Sequence, residues 1–268
     1  MNYPFKPVSC KIYAYLSLGI NSLFSVGSPC DIVRRMKTLL INSIYRATEG
    51  EGIHIGTPQI FVRFQGCHVG CVNCDTKESW DFDPAHTMEL DEVMEKVEVL
   101  SQDIIKRVSI TGGDPLHPSH VPSLIELVKE LKARNYFVNI EAAGTRIVKD
   151  VFDLVDFVSF DINTPSTQVK TSRDVLARFI EGYGHKAQIK AVVADKKDFE
   201  YVYDYYRGIP EGERFKSPWC LTPCYEPGEE FPMNRFQQVV QLNENFGLPF
   251  RVIGQQHKWV YGPGERLV

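Results

Sequence analysis

The sequence predicts an α/β protein folded as a partial (β/α) barrel. From Met36 onward, short β-branched runs alternate with helical patterns, which implies parallel strands joined by right-handed crossovers. The runs number about six to eight, which suits a barrel or partial barrel better than a doubly wound sheet. The polar motifs of the chain each follow directly on one of these runs, where such folds gather their chemistry.

The expected elements follow in order. Strand Thr38–Ser43 comes first, and strand Gln59–Gln65 runs into a cysteine-rich loop. Leu90, Val93 and Val97, at helical spacing, mark a helix before strand Arg107–Thr111, which runs into Gly112-Gly113-Asp114-Pro115. Leu124, Leu127, Val128 and Leu131 mark a second helix, and strand Phe137–Glu141 then enters Ala142-Ala143-Gly144-Thr145. Strands Phe157–Ile162, Gln188–Val193 and Trp219–Thr222 follow. Phe236, Val239, Val240 and Leu242 mark a helix before the last strand, Phe250–Ile253. No internal repeat or low-complexity linker interrupts residues 36–268, so they read as one domain.

At 268 residues the chain is long enough to bury a core without disulfides. Its net charge of -4 exerts no general pull toward nucleic acid or an anionic membrane. Seven cysteines, three of them crowded together, do not read as a secreted disulfide framework. Free thiols of this kind point to the reducing cytoplasm. The first 35 residues stand apart. Their apolar stretch Ile12–Val26 is broken by Ser, Gly and Asn and is too short to span a bilayer. With Lys11 before it and small residues after, it resembles a weak signal peptide. Met36 opens the first convincing strand, so residues 1–35 are expected to be an extension outside the core, with Cys10 and Cys30 inert in it.

Cys67, Cys71 and Cys74 give the spacing C-x3-C-x2-C. Three thiolates on one short loop suit three irons of a [4Fe–4S] cluster and leave the fourth without a protein ligand. An open metal position binds a small molecule and acts on it. The spacing resembles that of radical S-adenosylmethionine (SAM) enzymes. Zinc is the competing reading, but it usually takes four ligands from separated cysteine pairs. Cys220 and Cys224 are two thiols without further ligands.

Other motifs admit two readings each. Thr111-Gly112-Gly113-Asp114 is good turn sequence, yet its glycines let a ligand approach the backbone, and Asp114 could accept from a ligand ammonium. Thr48-Glu49-Gly50-Glu51-Gly52 is either a solvated acidic loop or a grip on a donor-rich ligand. Arg63, inside an apolar strand, needs a partner: a structural carboxylate or the carboxylate of a substrate. Thr76 offers an ST-turn or a hard oxygen for Mg²⁺. His257 and Lys258 follow the last strand and could reach the barrel mouth.

Together these residues resemble the 7-carboxy-7-deazaguanine synthase family of radical SAM enzymes, over roughly Leu39 to Trp259. The family's Q-G-E-G loop is similar to Glu49–Gly52, its G-C-x3-C-x2-C-D-T to Gly66–Thr76, its T-G-G-E-P to Thr111–Pro115, its I-E-T-S-G-T to Ile140–Thr145, and its Q-T-H-K to Gln255–Lys258. The resemblance implies a partial barrel of the radical SAM type, and cofactors [4Fe–4S], SAM and Mg²⁺. It implies conversion of 6-carboxy-5,6,7,8-tetrahydropterin to 7-carboxy-7-deazaguanine with loss of ammonia, in deazapurine (queuosine or archaeosine) biosynthesis. By the same resemblance Cys67, Cys71 and Cys74 hold the cluster, and Thr76 contributes to Mg²⁺. Asn73, Asp75, Gly113, Asp114, Asp161 and Asn163 meet SAM; Thr48, Glu49, Gly50, Glu51, Arg63, Thr111 and His257 meet substrate. A homodimer and a flavodoxin- or ferredoxin-type electron donor are also implied, with no nucleic-acid or membrane partner.

Four departures stand out. Glu49 replaces Gln, Asp114 replaces Glu, and Asn73 sits where an aromatic is common. The chain also runs on past Trp259, whereas some members end near there and use the terminal carboxylate on substrate. Two rival functions remain: a glycyl-radical activating enzyme, which lacks the E-G-E-G loop and C-D-T, and a zinc-holding, non-catalytic partner protein.

Overall fold

Among the described residues, 38–226 and 228–267 of this computed structural model, nine strands join in one sheet. The expected start at Met36 and the reading of residues 1–35, with Cys10 and Cys30, lie outside the described residues. The strands are β1 (Thr38–Thr48), β2 (Pro58–Phe64), β3 (Thr87–Glu89), β4 (Arg107–Gly112), β5 (Phe137–Ala142), β6 (Phe157–Asp161), β7 (Ala187–Val193), β8 (Trp219–Pro223) and β9 (Arg251–Val252). Their order is β3-β1-β2-β4-β5-β6-β7-β8-β9, so the sheet is open at both ends and the barrel is partial, as expected.

From β2 through β9 the neighbours pair in parallel. β1 departs from the expected all-parallel pattern: it is antiparallel to both β2 and β3. The loop from Glu49 to Thr57 explains this, because a parallel crossover needs roughly a dozen residues or more. β1 also continues to Thr48 instead of stopping at Ser43.

The helices are α1 (Leu90–Ser101), α2 (Val121–Ala133), α3 (Lys149–Phe152), α4 (Arg173–Tyr183), α5 (Lys196–Gly208), α6 (Glu211–Arg214), α7 (Met233–Asn245) and α8 (Gln256–Tyr261). Of these α1, α2 and α7 were expected. The signals for α4 and α5 are their caps: Ser172 accepts from Val175 N–H, and Asp195 from Asp198 N–H. Among the described residues no helix is long and apolar enough to cross a membrane.

Strand alternation sorts the side chains into two layers. Ile60, Val62, Phe64, Val108, Ile110, Val138, Ile140, Val158 and Phe160 are fully buried. They pack in one core with Leu124, Leu127 and Val128 of α2 and Leu176 and Phe179 of α4. Each such side chain contributes about 1.5–3 kcal/mol by leaving water. The alternate positions are polar and face the interior of the partial barrel: Gln59 and Arg63 on β2, Ser109 and Thr111 on β4, Asn139 and Glu141 on β5. Ser159 and Asp161 on β6, with Gln188 and Lys190 on β7, continue the layer. Register brings Arg63 beside Thr111, Ser109 beside Asn139, Glu141 beside Ser159, and Asp161 beside Lys190.

Candidate functional site

The cysteine loop leaves the C-terminal end of β2 and is stitched at both ends. Gly66 N–H donates to Ser79 O (2.7 Å), Cys67 N–H to Trp80 O (2.9 Å), and Val72 N–H to Thr167 O (3.0 Å). Gly66 is required here: its φ is +84°, and a Cβ would lie 2.2 Å from the Phe82 ring. Backbone donors point at two of the sulfurs, Val69 N–H at Cys67 Sγ and Thr76 N–H at Cys74 Sγ, each at 3.4 Å. Cys71 Sγ lies 3.5 Å from Asn163 Oδ1. Burial, then the neighbouring Cys74, Asp161 and Cys67, pushes the Cys71 thiol up to about 11. Positive charge bound at the thiol would oppose that rise. Among the described residues no three His, Cys, Asp or Glu side chains surround a single ion position. Three half-buried thiols, two of them facing backbone N–H donors, fit an iron–sulfur cluster better than one zinc ion.

Cys220 and Cys224 do not form a second centre. Cys220 is buried against Gln188 Oε1, and Cys224 donates to Tyr225 O. Thr76 Oγ1 donates to Asp75 Oδ1 at 3.0 Å, so a hydroxyl and a carboxylate stand together as hard oxygen donors of the kind Mg²⁺ accepts. Asn73 and Asp75 are exposed on the same loop.

The acidic loop after β1 is not solvated. Glu49 is 8% exposed, and its Oε2 accepts from Gln59 Nε2 at 2.7 Å. Burial, reinforced by Glu141, raises Glu49 to about 7. Burial acts on Glu51 in the same direction, but Lys190, His257 and Gln255 outweigh it and hold Glu51 at about 2. The Lys190 ammonium stands 3.5 Å from Glu141 and 3.6 Å from Asp161. Asp161 is raised to about 7 by burial, with Lys190 opposing. The interior thus holds Glu51, firmly ionised, beside Glu49 and Asp161, which keep their proton to near neutrality.

The chain's last helix closes on this loop. Gln255 Nε2 donates to Glu51 Oε1 (2.5 Å), and Gln256 N–H donates to Gly50 O (2.9 Å). The His257 ring lies against Gly50 so closely that a Cβ there would be 2.0 Å from Nδ1. Lys258 reaches back to Asp75 at 3.6 Å. Beyond α8, Arg266 bonds the Asp75 carbonyl and stands 3.7 Å from Glu78. The tail therefore runs onto the rim of the cysteine loop.

Arg63 has Tyr45 for a partner, not a carboxylate. Its Nη2 donates to Tyr45 Oη at 2.8 Å, and its Nε is buried without a hydrogen bond. Among the described residues no salt bridge answers the structural reading of Arg63. Thr111 is its neighbour across the β2–β4 ladder, and Thr48 ends β1 at the start of the acidic loop. Asp114, expected to be open to a ligand, is 1% exposed: Leu116 N–H donates to its Oδ1 (3.0 Å) and Arg146 to its Oδ2 (3.2 Å). Asn163 is held by Ala143 O and Thr171 Oγ1. Sequence reasoning passed over Lys190 and Arg146, and gave no role to Glu141 and Gln255, though both lie in the matched motifs. Lys190 carried a usable signal, as a lone cation in an apolar strand, the same anomaly that singled out Arg63.

Residues 61–210 match the model of the Radical SAM superfamily. The chain is 35% identical over 185 residues to the 7-carboxy-7-deazaguanine synthase of Pyrobaculum aerophilum, covering 67% of this chain and 79% of that one. It is 26% identical to the enzyme of the same name from Methanothermobacter thermautotrophicus, over 81% and 95% of the two chains. The crystal structure of QueE from Escherichia coli shares the fold, with TM-score 0.63 at 21% identity over 82% of this chain and 95% of that one.

Proposed function

The chain belongs to the 7-carboxy-7-deazaguanine synthase family within the radical SAM superfamily, and from that premise we propose that it converts 6-carboxy-5,6,7,8-tetrahydropterin to 7-carboxy-7-deazaguanine and ammonia. One observation carries the reading: the strand that ends in the three-thiol loop bears Arg63 on the polar interior beside Thr111, and Gln59 of the same strand holds the Glu49 carboxyl.

Cys67, Cys71 and Cys74 hold the [4Fe–4S] cluster. When bound, cluster and SAM together supply a carbon radical that removes a hydrogen atom from the substrate. Asn73, Asp75, Gly113, Asp161 and Asn163 border the SAM side, with Asp114 behind the glycine turn. Arg63 receives the substrate carboxylate through its unpartnered Nε and its Nη2, a fork matched to two oxygens. Glu51, kept ionised by Lys190, accepts from the pterin's N–H groups, with the Gly50 backbone and Glu49 beside it. Thr48, Thr111 and His257 complete the wall. Thr76 Oγ1, with the Asp75 carboxylate 3.0 Å away, would hold Mg²⁺ and supply charge to neutralise substrate oxygens. The protein acts as a homodimer in the cytoplasm, reduced by a flavodoxin- or ferredoxin-type donor.

The test is anaerobic turnover of the reconstituted protein with SAM, dithionite and the carboxypterin. A deazaguanine acid and ammonia are the expected products. SAM cleavage without that product overturns the substrate reading and favours the glycyl-radical activating class. Zinc in place of iron and sulfide in the anaerobically purified protein overturns both.

A further inference from the structure

Arg146, in the loop after β5, joins two other loops at the top of the barrel. Its Nη2 is 3.2 Å from Asp114 Oδ2 and 2.6 Å from His68 Nε2. The same Nη2 is 3.5 Å from His68 Nδ1, so the guanidinium lies against the imidazole ring. His68 Nδ1 also lies 3.5 Å from Asp114 Oδ2. Asp114 N–H in turn donates to Gly66 O at 2.8 Å. A closed circuit results: Gly66 to Asp114, Asp114 to Arg146, Arg146 to His68. Cys67 lies between its two ends in sequence.

Both oxygens of Asp114 are used, one by Leu116 N–H within its own turn and one by Arg146. The Asp114 side chain is 2% exposed and that of Arg146 25% exposed. A carboxylate this buried needs its cation, and removing the cation leaves an uncompensated charge beneath the cysteine loop.

We infer that Arg146 is a positioning residue for Cys67, and that Asp114 serves as its anchor in place of receiving the amine of a bound ligand. The inference rests on the reading of the three cysteines as cluster ligands. Arg146 touches neither thiol nor substrate; it acts by holding His68, the residue next to the first thiol.

The test starts with the metal-free, reduced chain. Iodoacetamide labelling, followed by peptide mass spectrometry, gives the alkylation rates of Cys67 and Cys74 separately. Arg146→Gln, Asp114→Asn and the half-exposed His68→Ala are each expected to speed Cys67 alkylation about tenfold, with Cys74 unchanged, and the Asp114→Asn/Arg146→Gln double variant to add nothing further. Arg146→Lys should restore part of the protection. His68→Ala covers the case in which removing the buried pair prevents folding. After reconstitution, Asp114→Asn and Arg146→Gln should both hold less iron, yet keep the change that SAM causes in the spectrum of the reduced cluster. Unchanged Cys67 rates, or an Asp114→Asn protein that loses the SAM-induced change while Arg146→Gln keeps full iron, overturns the inference. The labelling needs no cluster, so a wild-type protein that fails to take up iron defeats the cluster reading and is told apart from either result.

Discussion

Lys190 Nζ lies 2.8 Å from Glu51 Oε2, tying the middle of β7 to the loop after β1. Both side chains are largely sheltered, and the same ammonium faces Glu141 and Asp161. Burial would lower the Lys190 pKa, but the three carboxylates hold it well above the ordinary range.

Lys190→Met should therefore be costly in a pH-dependent way. Removing one member of a buried ionic group typically destabilises by about 3–5 kcal/mol. Urea unfolding at pH 8, where the carboxylates are charged, is expected to show a loss of that order. At pH 5, with Glu49 and Asp161 protonated, the loss should shrink. An equal loss at both values would contradict the charge network.

Glu49→Gln tests the proton held at that position. The folded-state value of Glu49, about 7, lies above the unfolded value of about 4.3, so its contribution to stability is full below pH 4 and is lost as pH rises through 7. Asp161 acts in the same sense. Glutamine, neutral throughout, should remove part of the fall in stability between pH 5 and pH 8 and raise the melting temperature at pH 8. A variant with the same pH slope as the parent chain would show that Glu49 does not carry a proton there.

Arg63→Lys replaces a fork by a point charge and leaves Tyr45 Oη without its guanidinium donor. Losing one charge-assisted hydrogen bond costs about 1.5–3 kcal/mol, which is roughly a 10- to 100-fold rise in KM for the carboxypterin. SAM cleavage without substrate should be unchanged. An unaltered KM would place the substrate carboxylate elsewhere.

Gly50→Ala should push His257 aside, since the added methyl would lie 2.0 Å from its ring. Turnover is expected to fall by at least tenfold. The double variant with His257→Ala relieves the clash, so its substrate affinity should exceed that of Gly50→Ala alone. Additive losses would show that the two residues do not meet.

Much of this fold was legible because each parallel strand writes both of its faces. In Arg107-Val-Ser-Ile-Thr111 and Phe137-Val-Asn-Ile-Glu141 the valines and isoleucines face the helices, and the alternate residues face the interior. Reading these runs as generally β-branched found the strands but passed over the polar layer, and Lys190 with it. The antiparallel start was hidden because strand propensity says nothing about direction; loop length does. The cysteine loop and the acidic loop are contiguous in sequence and could be found there. The pairing of Asp114 with Arg146, or of Gln255 with Glu51, depends on which loops the sheet order brings together. Local sequence does not encode that.

The cover that α8 forms over Gly50, Glu51 and Asp75 has a consequence for biosynthesis. Both glutamates and all three thiols emerge from the ribosome well before Gln255, His257 and Lys258 do. A nascent chain thus carries Gly50, Glu51 and Asp75 without their partners until Gln255, Gln256 and Lys258 have been translated.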